Sequence, residues 1–294
     1  MQTQQKIRAL LSSVGLFPNK RFGQHFLVDL NLMRLLLGSV QVTDQDVVLE
    51  VGCGTGSLTE ALAECARHVI AVELDKSLIP IAEAQLTGFR NVTLLNRDIL
   101  ASKHVLDPAV LAAIANAQNH SRGRFLLVAN LPYNVASPVI INLVTGPVVA
   151  DAMAVTVQKE VGDRMMASAG DSHYGLLSVI LQATGRLKRL RVLKPSVFWP
   201  PPRVESAMLT FIRDTEKVGQ IKDMTLFREV IDLFFGHRRK MLKAATRMAA
   251  GRLAKLDHWN DLFSCCQIDR SARPEQVSPE QFVALANAIG RYKS

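Results

Sequence analysis

Two apolar patterns alternate along the first two-thirds of the chain. Nearly continuous short runs read as strands buried on both faces: Val47-Val48-Leu49-Glu50-Val51, Val69-Ile70-Ala71-Val72-Glu73, Val92-Thr93-Leu94-Leu95 and Phe125-Leu126-Leu127-Val128-Ala129. Residues 29–39, 57–66 and 77–85 instead space their apolar side chains as helices do, for example Leu30, Met33, Leu36 and Leu37 on one face. A longer connection carries a helix near residues 108–117 and ends in the polar turn Asn119-His120-Ser121-Arg122-Gly123. Residues 153–157 and 204–212 read as further strands, with a helix over 174–184 between them. Continuous strands alternating with helices predict an α/β domain on a parallel sheet covered on both faces.

The two ends differ from this middle. Residues 1–28 read as an N-terminal arm, with one short helix before Pro18 and Asn19. At 214–222 the composition turns polar, which divides the chain into a domain of residues 1–213 and a second of 214–294. Residues 225–294 show helical patterning without a strand, so a small all-helical C-terminal domain is expected. Arg238-Arg239-Lys240 is expected to open a basic helix that runs on through Lys243 and Arg247.

Charge adds a partner class. The 294 residues hold 35 Lys and Arg against 26 Asp and Glu, a net charge of +9, which suits a polyanion, either nucleic acid or an anionic membrane surface. No apolar run approaches the ~20 residues of a membrane span. The N-terminus lacks the apolar stretch and small-residue cleavage site of a signal peptide. Cys53, Cys65, Cys265 and Cys266 form no Cys-x-x-Cys pair, so neither a structural zinc site nor a disulfide framework is expected. A monomer in a reducing cytoplasm, without a metal, is the expectation.

Glu50-Val51-Gly52-Cys53-Gly54-Thr55-Gly56 follows the first strand and precedes a helix. Glycines there let the backbone turn sharply and approach a ligand closely. Glu73 ends the next strand, 17 residues after Gly56, where a carboxylate can accept hydrogen bonds from both ribose hydroxyls. A dinucleotide site uses Gly-x-Gly-x-x-Gly and seats a pyrophosphate on the helix N-terminus. Here the spacing is Gly-x-Gly-x-Gly, and Glu50 beside the loop would repel pyrophosphate. An acid suits the ammonium and sulfonium of S-adenosyl-L-methionine, which is the cofactor expected. Asp98 follows the third strand and can accept from an adenine amine. These acceptors stand at successive strand ends, where open α/β sheets bind ligands.

Asn130-Leu131-Pro132-Tyr133 ends the fourth strand. An amine on an aromatic ring is a poor nucleophile because its lone pair is delocalised. Acceptors that hold its hydrogens out of plane restore the lone pair and aim it at a methyl group. The Asn130 side-chain carbonyl and the Leu131 backbone carbonyl are suitable acceptors. Pro132 stiffens the turn, and Tyr133 offers a face for a flipped-out base. Direct in-line transfer of this kind needs no covalent enzyme intermediate. The proton leaves after transfer, when the amine pKa has fallen, so no strong general base is required.

With these residues in place the chain resembles the KsgA/RsmA/Dim family of ribosomal RNA adenine dimethyltransferases. The marks run in order from Lys20-Arg21-Phe22-Gly23-Gln24-His25-Phe26-Leu27 through the glycine loop to Asn130-Leu131-Pro132-Tyr133-Asn134. Gln158-Lys159-Glu160-Val161, Phe198-Trp199-Pro200-Pro201-Pro202-Arg203-Val204 and Arg238-Arg239-Lys240 follow. The resemblance implies a Rossmann-like class I methyltransferase domain with a small helical domain behind it. It implies that His25 and Leu27 cover the cofactor, that Gly52, Glu73, Asp98 and Asn130 contact it, and that Phe198 stacks on the target base opposite Tyr133. It also implies two methyl groups on each of two adjacent adenines near the 3′ end of small-subunit ribosomal RNA, in a pre-assembled 30S particle, with a role in subunit biogenesis. His25 stands where Asn is also common, Cys53 where Pro is frequent, and His237 where Gln is frequent; Trp199 is unusual among the prolines, with packing its expected role and an extra RNA stacking group the alternative.

Arg186, Lys188 and Arg189, with Arg191 and Lys194, form one basic cluster; Arg238, Arg239 and Lys240, with Lys243 and Arg247, form another. Both are candidate phosphate contacts, which position a protein on RNA without choosing a base. Two other functions compete: methylation of large-subunit ribosomal RNA, and a non-catalytic RNA-binding or assembly factor.

Overall fold

In a computed structural model of the chain, residues 1–19, 22–102 and 105–292 are described; Lys20 and Arg21 of the N-terminal motif lie outside them. The strands are β1 (Phe26–Leu27), β2 (Val47–Val51), β3 (His68–Glu73), β4 (Val92–Asn96), β5 (Leu100–Ser102), β6 (Val105–Leu106), β7 (Phe125–Asn130), β8 (Ala152–Gln158), β9 (Gly185–Leu193), β10 (Phe198–Trp199) and β11 (Ser206–Arg213). The helices are α1 (Gln4–Ser13), α2 (Leu30–Gly38), α3 (Ser57–Ala63), α4 (Ile79–Leu86), α5 (Pro108–Asn119), α6 (Ala136–Thr145), α7 (Lys159–Met166), α8 (Leu176–Thr184), α9 (Thr215–Gln220), α10 (Met224–Gly236), α11 (Leu242–Ala245), α12 (Trp259–Cys265) and α13 (Pro279–Arg291).

Among the described residues the main sheet has seven strands in the order β4-β3-β2-β7-β8-β11-β9. From β4 to β8 neighbouring strands are parallel, and β11 runs antiparallel to β8. The chain winds outward from β2 to β4, then returns to place β7 on the other side of β2. That reversal opens a crevice at the carboxyl ends of β2 and β7, the usual ligand position in such sheets. Every residue of β2 is buried, as are all of β7 except its last, Asn130, which explains why these strands read as unbroken apolar runs. Helix starts follow local chemistry: Asp29 caps α2, and Asp107 caps α5 with Pro108 in the first turn.

The chain divides into two compact units, Met1–Gly162 with Lys188–Ile212, and Asp163–Leu187 with Arg213–Ser294. The second unit is helical through its C-terminal part and also takes in 163–187, which the polar stretch at 214–222 gives no reason to expect. Within that unit Tyr174 is fully buried and its hydroxyl donates to the Val277 carbonyl at 2.8 Å, while Phe234 meets the rings of Trp259, Phe263 and Phe282. A helix as apolar as α8 is stable only where another element buries it, and this aromatic unit does so.

Three local expectations change. The stretch at 214–222 contains α9, begun by Asp214, whose carboxylate accepts from the Glu216 and Lys217 amides. Residues 185–193, seen in sequence only as a basic cluster, form the edge strand β9. Arg238-Arg239-Lys240 is not the start of a helix. It is a turn after α10, closed by Lys240 N–H donating to His237 C=O at 2.8 Å, and the helix that follows it, α11, is a single short turn. No helix among the described residues is long and apolar enough to cross a membrane.

Candidate active site

The crevice is a cavity within the first unit, with about 1080 Å³ of empty space including its open mouth. His25, Leu27, Gly52, Glu73, Asp98, Asn130, Leu131, Pro132 and Tyr133 all line it. The glycine loop is pressed against two other segments. A Cβ on Gly52 would come within 2.8 Å of the Pro132 ring, and one on Gly54 within 2.8 Å of the Phe26 ring. Both glycines have positive φ, 78° and 59°, so side chains are excluded there by backbone conformation as well as by space.

Glu73 is 6% exposed and spans the loop: one carboxylate oxygen accepts from Gly54 N–H and the other from Asp75 N–H, both at 2.8 Å. Each oxygen keeps a second acceptor site for a ligand hydroxyl. Glu50 is 2% exposed and accepts from the Thr59 hydroxyl at 2.6 Å. Burial pushes Glu50 up to about 8, the Thr59 bond opposing and the charge of Glu73 adding to the rise. Glu73 is likewise raised, chiefly by burial. Two buried carboxyls at one cavity hold their charge poorly in water-poor surroundings, and a cationic ligand would relieve them. Asp98 sits at the exposed rim, where it accepts from Leu100 N–H at 2.9 Å.

Asn130 ends β7 with both amide atoms engaged. Its Nδ2 donates to the His25 carbonyl at 2.9 Å, and its Oδ1 accepts from the Thr156 hydroxyl. The His25 ring stacks on Tyr133, with centroids 5.7 Å apart, and its Nδ1 lies 2.7 Å from the Pro200 carbonyl. The Tyr133 hydroxyl is 2.8 Å from Ser206 Oγ. Gln24 ties the arm down by donating to Asp75 at 2.7 Å.

Phe198 differs from expectation. It pairs with Leu27 across β1 and β10, is 3% exposed, and packs in a core cluster with Leu193 and Met208. It is not among the residues that line the cavity, whereas Leu27, its partner in the register, is. Trp199 stacks on Phe26 and carries the Arg8 guanidinium 5.1 Å above its ring. Of the basic residues, Arg186 pairs with Asp214 at 2.9 Å, and Arg238 contacts Glu275 and the Ser172 carbonyl. Lys188, Arg239 and Lys240 are exposed, and Arg189 is half-buried. Sequence reading missed Thr59, Thr156 and Ser206. Their only signal was a hydroxyl within or beside an apolar segment, which many strands and helices carry without consequence.

The sequence model of the family described as ribosomal RNA adenine dimethylase matches residues 17–290. The chain belongs to that family. A ribosomal RNA small subunit methyltransferase A from Phenylobacterium zucineum is 36% identical over 98% of this chain and 94% of its own length. One of the same description from Caldanaerobacter subterraneus is 36% identical over 92% of this chain and 96% of its own. Among solved structures, a dimethyladenosine transferase from Plasmodium falciparum superposes with TM-score 0.70, at 21% identity, over 90% of this chain and 98% of that one. The 23S rRNA methyltransferase ErmE does so with TM-score 0.62, at 21% identity, over 90% and 99%. These two likenesses establish the class I methyltransferase fold. They leave the choice of ribosomal RNA open, because both chains share that fold.

Proposed function

We propose that this adenine dimethylase uses S-adenosyl-L-methionine to place two methyl groups on each of two adjacent adenines near the 3′ end of small-subunit ribosomal RNA, in an assembled 30S particle, as a step in subunit biogenesis in the cytoplasm. The observation that carries the reading is the meeting of two buried acids and the Asn130–Tyr133 turn at one cavity. The small-subunit choice is supported by the descriptions of relatives that span nearly the whole chain.

Bound S-adenosyl-L-methionine supplies a methyl group activated by its sulfonium charge. Glu73 would accept from the ribose hydroxyls, Asp98 from the adenine amine, and Glu50 would place negative charge beside the cationic end. Gly52 keeps the loop low enough for close approach, while His25 and Leu27 close the cavity from the arm. Asn130 Oδ1, with its second acceptor site, and the Leu131 carbonyl would hold the hydrogens of the target amine. Tyr133, with one face against His25, would offer the other to the base. Phe198 would back Leu27, its partner across β1 and β10, from the core. Arg186, Lys188, Arg189, Arg238, Arg239 and Lys240 are the proposed phosphate contacts.

The test is incubation with labelled methyl donor and small subunits lacking the modification, and separately with large subunits. Label as dimethyladenine in small-subunit RNA is expected. Label confined to large-subunit RNA would overturn the acceptor, and tight particle binding without label in either would favour an assembly factor.

A further inference from the structure

The Asn130–Tyr133 turn is anchored at both ends by hydroxyls, one from β8, the neighbour of β7, and one from β11 beyond it. Thr156 on β8 is fully buried and stands opposite Asn130 in the β7–β8 register. Its hydroxyl donates to Asn130 Oδ1, and its carbonyl accepts from Leu131 N–H at 3.1 Å, so one residue grips two successive residues of the turn. Ser206 on β11 is also fully buried and meets the Tyr133 hydroxyl at 2.8 Å. Ser206 lies opposite Gln158, two residues along β8 from Thr156. Alternation along a strand therefore puts both hydroxyls on one face of the sheet, one step apart.

The Asn130 amide has two orientations that differ by exchange of oxygen and nitrogen. With oxygen toward His25 it would face the His25 carbonyl, and two acceptors would oppose each other. The His25 carbonyl thus selects the orientation, and the Thr156 hydroxyl holds the torsion while leaving Oδ1 a second acceptor site. Ser206 holds the Tyr133 ring at its far edge in the same way.

We propose that Thr156 and Ser206 are positioning residues for methyl transfer, Thr156 aligning the acceptor amide of Asn130 and Ser206 aligning the stacking ring of Tyr133. This rests on the function proposed above for Asn130 and Tyr133. Neither hydroxyl is placed against substrate; each acts through the residue it grips. An aligning group matters most in the transition state, so its loss should appear in kcat more than in donor binding.

The experiment compares Thr156→Val, Thr156→Ser, Ser206→Ala and Tyr133→Phe in the full-length protein. Turnover and KM are measured on whichever ribosomal particle the wild-type protein methylates, so a wrong acceptor defeats the functional reading without touching this one. Binding of S-adenosylhomocysteine, by calorimetry, reports that each variant is folded with its donor cavity intact. Thr156→Val is expected to lower kcat by roughly 10–100-fold with little change in KM, and Thr156→Ser to restore it to within about threefold. Ser206→Ala and Tyr133→Phe are expected to match each other within about twofold, since both delete one hydrogen bond, and to raise KM for the particle. Wild-type kcat in Thr156→Val, or a loss that Thr156→Ser does not rescue, overturns the Thr156 assignment. Unequal effects of Ser206→Ala and Tyr133→Phe, or none, overturn that of Ser206.

Discussion

At the scale of single residues, Glu50 carries the sharpest consequence. Folding lifts its carboxyl from an ordinary 4.5 to about 8, mainly by burial. The fold without ligand therefore favours protonated Glu50. That contribution is fully present below 4.5 and is lost as pH rises through about 8. Between pH 6 and 9 the melting temperature of the ligand-free protein should fall more steeply for wild type than for Glu50→Gln. A cationic ligand reverses the preference, since it binds ionised Glu50 better. Affinity for S-adenosyl-L-methionine should rise over the same interval in wild type and change less in Glu50→Gln, as calorimetry at fixed ionic strength would reveal. Parallel pH responses in the two proteins would remove Glu50 from the account of donor binding. The acid beside the loop was legible in sequence as a preference for positive charge. Its full burial, and the Thr59 hydroxyl that holds it, were not, because Thr59 comes from the next helix.

At the scale of elements, the cavity depends on loops from β2 and β7 touching. Gly52 and Pro132 make that contact. Gly52→Ala brings two penalties: a left-handed backbone that costs an alanine about 1–2 kcal/mol, and a Cβ driven into a ring fixed to its own backbone. Donor affinity should fall about tenfold, and turnover should fall further because the Asn130–Tyr133 turn is displaced with Pro132. A variant with normal donor affinity and turnover would show that the two loops do not act as one. The helices and most strands were readable from periodicity because their core faces are continuous. β9 was hidden because Arg186, Lys188 and Arg191 point to solvent along an edge strand, and charge masks a period of two. The basic helix expected after residue 238 gave way to a turn, since the local sequence carries charge but no apolar face long enough to bury.

For the whole molecule, the surplus of +9 predicts polyelectrolyte behaviour. Binding to ribosomal particles should weaken steeply as salt rises, and each cation in phosphate contact should contribute about one unit to the log–log slope. The structure separates the candidates. Arg186 and Arg238 are engaged with Asp214 and Glu275, whereas Arg239 and Lys240 are exposed. The double variant Arg239→Ala/Lys240→Ala should lower the slope by about two, and Arg186→Ala by less than one, in filter-binding titrations across salt. An unchanged slope in the double variant would move the RNA contact elsewhere.

Sequence alone determined the features that depend on neighbours along the chain: the strand–helix alternation, the glycine loop after β2, the acid ending β3, and the Asn-Leu-Pro-Tyr turn after β7. These are local patterns, and the hydrophobic effect and backbone sterics act on them locally. Tertiary structure decided the features that depend on pairing across the sheet and packing between distant segments. It buried Phe198 beside Leu27, set Thr156 against Asn130 and Ser206 against Tyr133, and drew Tyr174 and α8 into the helical unit. Strand register joins residues far apart in sequence, and a shift of one position would send each strand side chain among these to the opposite face.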